Sequence, residues 1–363
     1  MTGSDAAALR GDATTRGRKR KKLRNQPGTP APVEQPVAAA EEERSLRAGW
    51  RVIAAKEFSD HILSVRFLVL TVILGLAAAA AVYATAGAIR DIATDASGAP
   101  SLFLKLFTVS RGDIPSFTTF IAFLGPLLGI AFGFDAINGE RSEGTLPRLL
   151  SQPIHRDDVI NGKFVAGLSA ITVIFVAVTL VVTAVGIFQL GILPDPEEIA
   201  RLIIWVGLAV AYVGLWLAIA LLCSVLLRRA ATSALVAIAV WLLVTLFATL
   251  VVGLIAGFIA PIPADAAQGS AAALRNTAVQ QELARLSPSQ LFEEATAAVL
   301  DPSIRTLSPG LVTAAQADRA IPSILSLPQS LLVIWPQFVA LVAATAVMFA
   351  LAYVSFMRQE VRA

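Results

Sequence analysis

Phosphate chemistry is the first possibility the residues raise, because Gly162-Lys163 is the chain's only Gly-Lys pair. A phosphate loop needs G-x-x-x-x-G-K-[ST], whose Gly-rich backbone cradles the phosphates while the hydroxyl holds magnesium. Here Asp157 stands where the first glycine belongs and Phe164 where Ser or Thr belongs. The chain is therefore not expected to hydrolyse ATP. Its two histidines, His61 and His155, form no H-E-x-x-H motif, and neither lies in an apolar run. The single cysteine, Cys223, sits within such a run. These residues argue against a zinc hydrolase, a disulfide framework and an intramembrane nucleophile with its base. No catalytic, cofactor-binding or metal-ligating residue is expected.

What remains is a concentration of charge. Asp135–Lys163 reads DAINGERSEGTLPRLLSQPIHRDDVINGK and joins two apolar runs. Glu140-Arg141-Ser142-Glu143-Gly144-Thr145 has the alternation of a surface turn. Leu146, Leu149 and Leu150 follow as a short apolar face that Pro153 ends. Arg156-Asp157-Asp158 then opens a helical stretch running through Val159 and Ile160 to Lys163. Such a segment can dock into a groove on a cytoplasmic partner and pass movement to the helices beside it.

The elements that must position this segment follow from composition. Of 363 residues, 56% are hydrophobic and only 15% charged, and mean hydropathy is +0.71. Soluble domains run near 45–50% apolar and about 25% charged, so an ordinary cytosolic enzyme is excluded. Six uncharged runs, 67–89, 115–134, 164–193, 202–227, 230–260 and 331–356, are each at least 20 residues long. About 20 apolar residues cross the hydrocarbon core as a helix. The third and fifth runs are long enough to tilt, kink or extend past it. None contains an Asp, Glu, Lys, Arg or His. The expected fold is all-α: a polytopic integral membrane protein with six transmembrane helices.

Lys and Arg are unevenly placed between the runs. Segments 1–66, 135–163, 228–229 and 357–363 hold 21 of them, against 8 in 90–114, 194–201 and 261–330. The positive-inside rule then predicts both termini in the cytoplasm and residues 261–330 outside. No cleavable signal is expected, since the first apolar run begins only at Phe67. Residues 1–45 are polar and without apolar period, and are expected to be disordered. Seven of the nine residues Arg16–Arg24 are basic. With no aromatic residue among them for base stacking, they suit anionic headgroups, and no nucleic-acid partner is expected.

Residues 46–66 read as a helix lying along the membrane, with Leu46, Trp50, Ile53, Ala54, Phe58, Ile62 and Val65 on one broad side. Lys56 and Asp60 sit at i,i+4 and can pair. In 261–330, Ala271–Leu286 has helix-forming composition. Ser287-Pro288-Ser289-Gln290 reads as a capping box opening a second helix toward Leu300. Small residues at helix spacing (Gly75/Ala79, Gly125/Gly129/Gly133 and Gly253/Gly257) permit close packing within the bundle or between copies.

The 135–163 string resembles the cytoplasmic signature of permease subunits of type-2 ATP-binding-cassette (ABC) exporters. That pattern is roughly an acidic residue, a short spacer, E-R-x-x-G-T-L, L-L-S-x-P-I-x-R, then G-K entering the next span. The matching positions are Asp135, Glu140, Arg141, Gly144, Thr145, Leu146, Leu149, Leu150, Ser151, Pro153, Ile154, Arg156, Gly162 and Lys163. Lys56-Glu57-Phe58 with Arg66-Phe67, Ser287-Pro288 and Phe356-Met357-Arg358 resemble flanking features of the same family. The likeness covers residues 50–360 and is strongest to the branch that includes nitrous-oxide-reductase maturation and gliding-motility permeases. It implies a six-span subunit that pairs with a second permease copy or paralogue in the cell membrane, surrounded by lipid. It further implies a separate cytoplasmic ABC ATPase that binds ATP and magnesium. The residues implied to couple the two are Glu140, Arg141, Glu143, Gly144, Thr145, Leu146, Leu149, Leu150 and Arg156. Uncharged spans mildly favour an apolar or amphiphilic cargo. The alternative is an ion-coupled secondary transporter acting without ATP. It would need coupling groups at membrane depth or helices broken at Gly125-Pro126 and Trp335-Pro336.

Overall fold

In a computed structural model the chain is described over residues 49–95, 101, 103–110, 115–145, 155–263, 270–301 and 325–359, with backbone alone at 86–95 and 249. The basic tail expected over 1–45 lies outside these residues, as do Leu146, Leu149 and Leu150. Every regular element described is helical: α1 (Gly49–Ile62), α2 (Val65–Asp95), α3 (Lys105–Thr108), α4 (Phe117–Gly133), α5 (Asn138–Ser142), α6 (Arg156–Leu190) and α7 (Pro196–Leu226). Then come α8 (Ala230–Leu242), a π-helical turn (Leu243–Phe247), α9 (Ala248–Ile259), α10 (Ala271–Ala284), α11 (Pro288–Leu300) and α12 (Leu327–Arg358). Six stretches are long and apolar enough to cross a membrane: Val65–Thr85, Phe117–Ser142, Arg156–Leu190, Pro196–Leu226, Ala230–Phe247 and Leu327–Arg358. Large side chains such as Leu68, Leu180, Leu243 and Leu332 stand exposed on them. Hydrocarbon, unlike water, tolerates such surfaces, and the fold is that of an all-α polytopic membrane protein.

The helices overrun the uncharged runs. Helix α6 starts at Arg156 and α7 at Pro196, so both carry charge in their first turns. The physical reason lies in their ends. Asp195 caps α7 by accepting from the Glu198 N–H at 2.8 Å, and the Glu198 carboxylate accepts back from the Asp195 N–H at 2.9 Å. Pro196 fills the first helical position, where no N–H is needed. At its other end α6 stops on Gly191, whose φ of +69° suits a residue without Cβ. The run 230–260 is not one uniform helix, because the π-helical turn interrupts it. Pro126 and Pro336, by contrast, lie inside continuous helices, α4 and α12.

Helix α1 is shorter than the 46–66 stretch. It closes at Ile62, Ser64 turns the chain by donating to the His61 carbonyl, and Val65 stands exposed on α2. Of its apolar side only Ile53 and Ala54 are fully buried. Helix α11 does begin at Pro288, but the capping box does not form. The Ser287 hydroxyl pairs instead with that of Ser289 at 2.8 Å, and the Gln290 amide donates to Glu294.

Helix α7 is the axis of the bundle, touching α4, α6, α8, α11 and α12. Trp205, Tyr212 and Trp216 along it are buried. Trp205 gathers Phe107, Phe117 and Phe175 edge-on or tilted, and Tyr212 stacks on Phe292 at 4.6 Å while its hydroxyl donates to the Ala122 carbonyl. Helix α4 reaches α7 through the glycine stripe. A Cβ on Gly129 would lie 2.5 Å from the Val213 carbonyl oxygen, and one on Gly133 2.7 Å from Ala220 Cβ. This stripe therefore serves packing inside the bundle, whereas Gly75, Gly253 and Gly257 face open space. Gly129→Val is expected to destabilise by about 1–3 kcal/mol or more through overpacking. Gly75→Val, with nothing within 4 Å, should leave the melting temperature in detergent unchanged; equal losses at both would refute the assignment.

Candidate functional site

The charged end of the bundle is built on a second, small core. Ile53, Ile137, Val159, Ile160, Leu221, Val225, Ala352 and Phe356 bring α1, α6, α7, α12 and the chain entering α5 together. Gly162 lets α1 lie directly on α6, since a Cβ there would stand 2.7 Å from Ile53 Cγ2 and 3.0 Å from the Trp50 carbonyl oxygen. One residue on, the Lys163 side chain is only 5% exposed. Its ammonium sits 3.0 Å from Glu57 on α1 and 2.6 Å from Glu140 on α5. A buried ammonium needs such partners to offset lost hydration. Three elements are thus tied through one cation. On the exposed surface of α1, Lys56 and Asp60 pair at 3.2 Å.

Further contacts hold the chain that leaves α4. Asp135 pairs with Arg66 at 2.6 Å, and the Arg66 guanidinium lies over the Phe134 ring. The Ile137 and Asn138 N–H groups both donate to Ser224 Oγ, at 2.9 and 3.2 Å. His61 meets Phe132 edge-on at 5.1 Å. Burial holds its imidazole below the ordinary range, with the nearby Lys163 charge pushing the same way and Glu57 opposing.

The expected site residues divide between anchor and tip. Glu140 and Arg141 point inward, with Glu140 on Lys163 and the Arg141 guanidinium donating to Gln359 Oε1. Arg156, on the far side of the segment, donates to the Gln359 carbonyl at 3.0 Å and lies over Phe356. Gln359 in turn donates to the Val225 carbonyl at 2.7 Å. One residue after α12 therefore clasps both ends of the 135–163 segment to α7. Between them, Gly144 adopts φ +69°. Its N–H donates to the Arg141 carbonyl, and the Thr145 N–H to the Glu140 carbonyl at 3.0 Å. This paired pattern closes α5 with a left-handed residue, a conformation natural to glycine. Glu143, Gly144 and Thr145 are exposed there.

Lys163, Glu57 and Gln359 were not among the residues expected to act. Lys163 and Glu57 stood within the resemblance, but only as the entry to a span and as a charge intruding on the apolar side of the 46–66 helix. Gln359 lies 218 residues from Arg141, and no local pattern joins them. Among the described residues no group of His, Cys, Asp and Glu could hold a metal ion.

Comparison with known proteins follows this geometry. A stretch of 113 residues, 31% of this chain, is 30% identical to the probable ABC transporter permease protein NosY of Stutzerimonas stutzeri and covers 36% of it. A stretch of 58 residues, 16% of this chain, is 40% identical to the protein of the same description from Pseudomonas aeruginosa and covers 21% of it. The chain thus spans well under half the length of these curated relatives. Residues 51–361, nearly all of the described helices, match the family model of the ABC-2 family transporter protein, and the chain belongs to that family.

Proposed function

We propose that this permease works in the cell membrane as one half of a dimeric export pathway and is driven by a separate cytoplasmic ATPase. The second half is another copy or a paralogue. ATP and magnesium bind to the ATPase, which engages the 135–163 segment. Both termini then lie on the ATPase side, in keeping with the Lys/Arg distribution.

The observation that carries the reading is how the segment is held. Its tip, Glu143-Gly144-Thr145, is exposed, while its two arms are fastened by Lys163 and Gln359 to α1, α6, α7 and α12. Force on this turn reaches spanning helices through the Glu140 and Arg141 contacts. An ATPase whose open and closed forms contact the tip differently biases the arrangement of those helices. Leu146, Leu149 and Leu150 supply the apolar face for its groove. The continuity of α4 and α12 through Pro126 and Pro336 favours this over an ion site built on broken helices.

The test is to purify the tagged full chain from its native membranes in mild detergent. A stoichiometric subunit bearing a phosphate-loop motif and hydrolysing ATP is expected to accompany it. Glu143→Arg should reduce that association several-fold while the melting temperature holds, because the exposed Glu143 side chain makes no hydrogen bond or ion pair among the described residues. A chain that purifies alone and moves solute under an ion gradient without ATP overturns the reading.

A further inference from the structure

At the opposite end of α4 the bundle borders a half-open cavity of about 470 Å3 between α4, the π-helical turn with α9, α10 and α11. Four chemical features converge on it. Glu293 of α11 opens into it and has no hydrogen bond or ion pair among the described residues. Gln280 and Gln290 line it, and each turns an amide N–H away to a neighbour, Asn276 and Glu294 respectively. Each keeps its carbonyl oxygen and one further N–H to offer. Thr245 of the π-helical turn also lines it, with a buried hydroxyl oxygen that has no partner among the described residues. Phe123 and Val252 form apolar wall, and no Lys, Arg or His is among the described lining residues.

A carboxylate and a hydroxyl left without a partner among the described residues are costly in a partly desolvated space. The walls remove enough water to hold the Glu293 carboxyl above the usual carboxylate range, although the side chain itself is open to the cavity. A bound N–H cation would answer the carboxylate, the amide oxygens and the hydroxyl together. The aromatic and aliphatic wall would take an apolar body, and Phe123 can present a ring face to the charge. π-Helical turns recur at functional sites because the extra residue redirects side chains; here it delivers Thr245. We propose that this cavity is a binding site for an organic ammonium amphiphile: a protonated amine carried on an apolar body. The site does not depend on ATPase coupling and can be tested without it.

The full chain in detergent would be titrated calorimetrically with 3-phenylpropylammonium, and with 3-phenylpropanol and 3-phenylpropionate as neutral and anionic counterparts. Saturable binding of the ammonium is expected, with both counterparts weaker by about tenfold or more, the worth of one charge-assisted hydrogen bond. Glu293→Gln should lose about tenfold for the ammonium and nothing for the alcohol. It removes no hydrogen bond or ion pair among the described residues, so an unchanged melting temperature is expected and checks the fold. Thr245→Val should give a smaller loss. Equal affinity for ammonium and alcohol, an unaffected Glu293→Gln, or no saturable ammonium binding would each overturn the site. Repeating the titration in phosphatidylethanolamine and phosphatidylglycerol nanodiscs identifies the source. Competition only by phosphatidylethanolamine points to a lipid headgroup and equal affinity to a free amine, both sustaining the site.

Discussion

Lys163→Met is expected to cost about 3–5 kcal/mol of stability, the loss seen when one partner of a buried ion pair is removed. Two carboxylates, Glu57 and Glu140, with side chains 13% and 19% exposed, would face each other without the ammonium between them. Single changes at the carboxylates should cost less, because the lysine keeps its second partner. The diagnostic variant is the triple one, Glu57→Gln with Lys163→Met and Glu140→Gln. Neutral, volume-matched replacement of a whole buried charge group is often near neutral for stability. Thermal unfolding in detergent should therefore show the single variant melting low and the triple variant recovering most of the loss. If the cluster also transmits force, ATP hydrolysis by the co-purified partner should remain uncoupled in the triple variant although the fold has returned. A triple variant as unstable as Lys163→Met alone would show that charge pairing is not what Lys163 supplies.

Why Lys163 reads in sequence as the entry to a span, and not as a buried anchor, says how far the sequence could be read. The six membrane-crossing stretches were legible because uncharged runs of twenty or more residues have few alternatives. Their ends were not, since counting charges treats every lysine as a boundary. Lys163 continues α6 because Glu57 and Glu140 come to it from other helices, and Arg201 continues α7 on the same principle. Capping was legible in form but not in outcome. Ser287 had the right neighbours for a box, yet the Ser289 hydroxyl competed for it. Asp195-Pro196-Glu197-Glu198 forms the box and also accepts the Phe103 N–H, a contact 95 residues away. The Gly144 turn was readable because its requirement is local, a left-handed backbone closing a short helix. Gln359 was not, because its role is set wholly by where α12 ends beside Arg141 and Arg156. The family resemblance of the 135–163 segment is borne out by the match over residues 51–361. It named the segment without revealing what fastens it.

Arg201→Met is expected to be comparably damaging at the other end of the bundle, by about 3–5 kcal/mol, and to loosen one region selectively. The Arg201 side chain is 1% exposed. Its guanidinium donates to the Val299 carbonyl at 2.8 Å, the Leu325 carbonyl at 2.7 Å, Ser330 Oγ at 3.1 Å and Glu197 at 2.8 Å. Two of these acceptors belong to chain ends. Val299 is in the last turn of α11, where helix carbonyls have no partner of their own, and Leu325 precedes α12. One side chain of α7 thus closes the end of one helix and the approach to another. Removing it strands buried carbonyls as well as losing the ion pair. Arg201→Lys should rescue little, because a single ammonium cannot reproduce a planar fork spread over four acceptors. Glu197→Gln should cost under about 1 kcal/mol, its carboxylate being 54% exposed and the guanidinium keeping its other partners. Limited proteolysis gives the local readout: faster cleavage within 288–330 in the Arg201 variants, at unchanged rates within 135–163. If Arg201→Lys melts within about 1 kcal/mol of the native chain, the pair with Glu197 was the whole contribution, and α11 and α12 are held together by packing alone.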